Sequence, residues 1–93
     1  MISVIDIENK IKKSLDVKHI EVVDLRGGDH ILAIVVSPQF ENKSLMEQHK
    51  MIYDILANEI ASSEIHALTL KTYLPVQWEK IKGTFSRDIG HAI

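Results

Sequence analysis

The sequence predicts a two-layer α+β domain in the order α-β-β-α-(α)-β-α, with a three-stranded mixed sheet covered by helices on one face. Three observations carry this. Val4, Ile7, Ile11 and Leu15 recur at helical spacing near the start. Two β-rich runs, HIEVVDL and HILAIVVS, flank a Gly-Gly pair. A long helical stripe then separates the second run from a third strand-like run, IHALTLKTY.

Each element follows from its residues. Helix one is expected over about 3–15, with Ser3 as its cap, Asp6 and Glu8 at its positive end and Lys12 and Lys13 at the other. Strand one is 19–25. Gly27 and Gly28 permit the positive φ that a tight hairpin needs. Strand two, 30–37, is almost wholly apolar, as suits the centre of a sheet, and Pro38 ends it. Asn42 or Ser44 can cap the next helix, whose stripe is Leu45, His49, Ile52, Leu56 and Ile60. It is expected to run to about Ala61, with a break after its first turn. Strand three is 65–73. Pro75 suits the first position of a short final helix, which Trp78 and Ile81 pack onto the sheet. Residues 1–82 form one domain, and 83–93, without clear period, read as a flexible tail. Strands one and two make an antiparallel hairpin. The helical crossover makes strands two and three parallel and puts strand two in the middle.

Composition excludes several classes. There is no apolar run near the roughly 18 residues a membrane span needs, and the acidic start lacks the charge of a signal peptide. With no cysteine, the chain alone can make neither a disulfide nor a thiolate metal site, and a reducing cytoplasm fits that count. Net charge is −2. Residues 1–70 hold 7 basic and 11 acidic side chains, and residues 71–93 hold 4 and 2. The C-terminal quarter, with Lys71, Lys80 and Lys82, is the one mildly basic stretch and a weak candidate for a partner or nucleic-acid surface. The Gly-Gly pair is no phosphate loop, since no Lys-Ser/Thr and helix follow it. Ser62, Ser63 and His66 form no triad by spacing.

The histidines are the informative residues. His30 opens strand two and His66 opens strand three, and parallel neighbours start at the same end of a sheet, roughly 4.8 Å apart. Alternation groups His30 with Leu32, Ile34 and Val36, and His66 with Leu68 and Leu70. If those faces match, two imidazoles meet at one rim, where they could hold a metal or pass a proton. The plainer reading is two ordinary histidines, each satisfied by one carbonyl. His49 is expected to pack against the sheet or to cap a polar contact, and His19 and His91 to be plain surface residues. Tyr53, Tyr73 and Trp78 read as partly buried packing residues.

FENKSLMEQHKMIYDILANEI (40–60) followed by IHALTLKTYLPVQWEK (65–80) closely resembles the BolA family. Phe40, His49, Lys50, Ile52, Tyr53, Leu56 and Glu59 fill its first motif. Ile65, His66, Ala67, Leu68, Lys71, Thr72, Tyr73, Pro75 and Trp78 fill its second. The likeness spans about 4–81 and is strongest over 40–79. GGDHILAIVVSPQF looks like the family's shorter-loop branch, which often has a histidine where His30 stands. Two departures are Leu74, where Thr commonly caps the last helix, and Lys50 in place of Arg. Leu74 leaves that helix start to Thr72 or water. The resemblance implies a class II KH-like fold and no enzymatic activity. It implies pairing with a monothiol glutaredoxin around a shared 2Fe–2S cluster, in iron–sulfur trafficking or iron regulation. The IHAL histidine is then a ligand, so that role passes to His66, and a weaker version passes to His30. The partner's cysteine and a glutathione thiol supply the remainder, and the isolated chain holds no cofactor. A weak homodimer and a DNA-binding, transcription-regulating role are the other partner states it implies. A KH domain grips backbone through a GXXG loop between helices, and residues 44–63 contain no glycine.

Overall fold

Ser3 and Ser44 start the two long helices in the same way. In the computed structural model, which describes residues 3–26 and 30–82, each serine accepts from the backbone N–H three residues on. The acid at that position, Asp6 or Glu47, accepts from the serine's own N–H. These reciprocal capping boxes satisfy donors that a helix start leaves open. They fix α1 at Val4–Ser14 and α2 at Leu45–Ile55. Ser44, not Asn42, is the cap of α2. Asn42 instead takes a positive φ of 62° in the turn before it, a conformation asparagine reaches cheaply.

Between them lie β1 (His19–Arg26), β2 (His30–Val36) and a single 3₁₀ turn, Pro38–Phe40. After α2 come α3 (Ala57–Ala61), β3 (Ala67–Tyr73) and a last helix, α4, over 75–82. The sheet order is β1-β2-β3, antiparallel then parallel, so β2 is central as its apolar run requires. The turn expected at Gly27–Gly28, the tail 83–93 and His91 lie outside the described residues.

One face of the sheet holds the main core. Ile7, Ile11 and Leu15 of α1 and Ile52 and Leu56 pack with Ile31, Ala33, Val35, Phe40, Ile65 and Leu70. Each fully buried isoleucine or leucine there contributes about 1.5–3 kcal/mol relative to exposure. The fourth helix departs from the one-face expectation. Alternation turns Ile34 and Val36 away from Ala33 and Val35, and it is these two that Trp78 covers, with Tyr73 and Ile81 beside them. Thus α1, α2 and α3 cover one face, and α4 caps part of the other.

Three further expectations are corrected. The interruption of the second helical stripe falls at Leu56, not after the first turn. Leu56 is fully buried, and the change of direction there lets Ile60 pack on the same core. β3 begins at Ala67, not Ile65, because the Ile65 N–H is committed to the Glu59 carbonyl at 3.1 Å. α4 does not use Thr72 to start. Thr72 is buried and donates to Gln48 Oε1 at 2.6 Å, while the Leu74 N–H donates to Gln77 Oε1 at 2.8 Å. Gln77 thereby supplies the reciprocal half of a capping box without the usual hydroxyl.

α1 and α3 are tied by Lys10, whose Nζ lies 2.8 and 2.7 Å from the two oxygens of Glu59. The Glu59 side chain is only 15 % exposed, and the Lys10 hydrogen bond holds its carboxyl below the ordinary value of 4.5. A carboxyl whose pKa is lowered in the folded state stabilises that state fully above its unfolded value. The contribution is lost as pH falls through the native value. Urea titrations from about pH 7 to pH 3 should therefore show a loss of stability below about pH 5 that is reduced in Glu59→Gln; identical acid limbs for the two proteins would contradict this.

Candidate functional site

The parallel ladder pairs His30 with Ala67, Ile31 with Leu68 and Ala33 with Leu70. Paired residues share a face, so Leu68 and Leu70 lie on the face of Ile31 and Ala33, opposite to His30, Leu32 and Ile34. The condition set by alternation, that the two groups share a face, is therefore not met. The two imidazoles meet all the same, with ring centroids 5.5 Å apart and planes tilted by 40°. His66 precedes β3, so its ring is free of the strand's alternation and can reach around the end of the sheet.

Local structure explains how it gets there. α3 ends at Ala61 with Ser62 as its C-cap, and Ser63 takes a positive φ of 65°, reversing the chain just past the helix end. Ile65 is then buried at 2 % exposure and hydrogen-bonded to the Glu59 carbonyl. With Ile65 anchored inward, the next side chain, His66, stands exposed at the rim. On the other strand, the β1–β2 register shifts between Asp24 and Arg26, immediately beside the Arg26–His30 pair. Such bulges bend a strand and re-aim side chains at sheet ends. His30 is half-buried there.

The donor set is chemically specific. Neutral imidazoles suit borderline transition metals. Two of them do not complete a four-coordinate site, and among the described residues no group of three or more His, Cys, Asp or Glu side chains could hold a metal ion. The described residues thus offer this rim two imidazoles and no third ligand.

The remaining candidates are dispersed. Lys71 lies on β3 and lines a hollow beside α2, whereas Lys82 pairs with Glu79 at 3.0 Å and lines another with Lys18 and His19. Lys80 is exposed on α4. His19 is not plain surface: its ring stacks on Trp78 at 4.8 Å and its Nε2 lies 2.7 Å from Glu21 Oε2. Tyr53 is 42 % exposed rather than a packing residue. His49 is half-buried between two hollows, of about 630 and 230 Å³. Helical spacing alone assigns His49 to the buried stripe, and no sequence signal marks the hollows.

The BolA-like protein family model matches residues 3–77. The Arabidopsis thaliana Protein BOLA2 is 38 % identical over 82 residues, covering 85 % of this chain and 86 % of that one. The Escherichia coli protein named DNA-binding transcriptional regulator BolA is 33 % identical over 86 residues, covering 84 % and 81 %. Among solved structures, a bol-like protein from Babesia bovis superposes with a TM-score of 0.78 at 31 % identity, over 88 % of this chain and 95 % of that one.

An exposed side chain that serves a site rather than the core can be removed cheaply. His66→Ala should shift the unfolding free energy by no more than about 0.5 kcal/mol in urea, whereas a loss above about 2 kcal/mol would mark His66 as a packing residue.

Proposed function

This chain belongs to the BolA family, and from that premise we propose that it is a non-catalytic adaptor that pairs with a monothiol glutaredoxin and shares a 2Fe–2S cluster, with His66 and His30 as its ligands. The observation that carries the reading is the 5.5 Å approach of these two rings across the sheet end. The incomplete donor set supports a shared site, since a chain without cysteine must borrow its sulfur. When bound, a cluster with imidazole in place of thiolate carries less negative charge and has a raised potential.

The chain's own part is to hold two ring nitrogens in place. Ile65 fixes the backbone on one side of His66 and the β2–β3 ladder fixes it on the other. Each ligating nitrogen must be deprotonated, so occupancy weakens as pH falls. Mixing the protein with a cluster-loaded monothiol glutaredoxin and glutathione should change the visible circular dichroism. His66→Ala should abolish the change and His30→Ala should diminish it. No change with the wild type, or an equal change with His66→Ala, overturns the reading.

A second reading is favoured by one relative, whose name describes DNA binding. It makes this chain a nucleic-acid-binding transcriptional regulator using the KH-like fold. Set against it are the net charge of −2 and the absence of glycine between residues 44 and 63. On this reading duplex DNA binds at low salt with an affinity that falls steeply as salt rises. A flat anisotropy titration at low salt would dispose of it.

A further inference from the structure

The helix that carries Trp78 closes only part of the second sheet face. Residues paired across the ladder share a face. Glu21, Ile34 and Lys71 make one row on it, Val23, Leu32 and Thr69 the next, and the row of His30 and Ala67 lies at the rim. α4 covers Ile34 and Val36. Beyond them Val23 is 43 % exposed, Leu32 is half-buried, and Thr69 and Ala67 are exposed. Leu25, at the β1 register shift, is 56 % exposed beside them. The Val23–Leu32–Thr69 row carries no charge, unlike the row of Glu21 and Lys71 below it.

The chain leaves α4 at the lower border of this opening. Lys82, the last described residue, lines a hollow with Lys18 and His19, where β1 begins. From there to the rim is the length of the eight-residue β1, about 23 Å. Residues 83–93, GTFSRDIGHAI, span up to about 36 Å when extended. Laid along β1, Phe85 falls about 10 Å and Ile89 about 23 Å past Lys82, near Val23 and at the rim. Alternation puts Phe85, Ile89 and Ile93 on one side of an extended tail and Ser86, Gly90 and Ala92 on the other. Arg87 and Asp88 cancel in charge, and residues 89–93 hold no acid, lysine or arginine.

We propose that residues 83–93 lie back along the open part of this face as its cover, with Phe85 over Val23 and Leu32 and Ile89 at the histidine rim. The chain itself supplies the occupant. The tail starts where the opening starts, is long enough to reach its far end, and is uncharged where it arrives. Its tether gives it an effective concentration on the order of millimolar, so a modest apolar contact suffices to seat it. A visitor to His66 must displace it, and the tail thereby governs access to the rim. This goes beyond the cluster reading and does not require it.

The test uses the full chain without glutaredoxin, glutathione or iron, so it can fail while the cluster reading stands. The chain has no cysteine, so Ala92→Cys takes a nitroxide label at a single site. The amides of Val23, Leu32 and Ala67 should broaden most, and those of α1, on the far face, least. Phe85→Asp combined with Ile89→Asp leaves residues 3–82 unaltered and should erase that pattern. Broadening spread evenly over both faces, as from a freely roaming tail, overturns the proposal. So does an unchanged pattern in the double variant. The second readout is acylation of His66 by diethyl pyrocarbonate. A tail seated about two-thirds of the time leaves about one-third of the molecules open, so the double variant should react about threefold faster. Equal rates also overturn the proposal.

Discussion

Parallel pairing of β2 with β3 in one register, His30 beside Ala67, is the constraint on which the rest of the molecule depends. Parallel strands cannot be joined by a tight turn. The chain must leave β2, cross the sheet as α2 and α3, and return to the end from which β2 began. That crossover supplies Ile52 and Leu56 to the core and delivers Ile65 to the sheet end. The pair of imidazoles is a by-product of this geometry, brought together from 36 positions apart in sequence.

The return is held at several points. Lys10 of α1 grips Glu59, the Glu59 carbonyl accepts the Ile65 N–H, and Ile65 is buried. A polar tie across the top, Thr72 to Gln48, holds α2 to the other end of β3. α2 therefore stands alongside β3 in a fixed position, and the cleft between them is a consequence of the same crossover that makes the rim.

Much of this was legible in the sequence because the signals are local. Ser3 and Ser44 are capping serines by type and position, and the apolar run of β2 betrays a central strand. Strand direction alone places His30 and His66 at the same end of the sheet. What was not legible depends on register and on the ends of elements. Alternation cannot reveal that Ile31, not His30, pairs with Leu68, nor that Ile65 leaves the ladder to bond with Glu59. The same holds for His19, whose stacking on Trp78 brings together residues 59 positions apart, and for the capping of α4 by Gln77 in the absence of a threonine. The enclosed nitrogen of His49 is likewise a fact of packing, invisible to periodicity.

The seating of α4 has an optical consequence. The chain's one tryptophan is Trp78, and its indole lies between the ring of His19 and the side chains of Ile34 and Val36. It therefore stands apart from the main core on the far side of the sheet. Its emission is a gauge of whether the last helix is docked, and it would redden on detachment of that helix even while the rest of the molecule stayed folded.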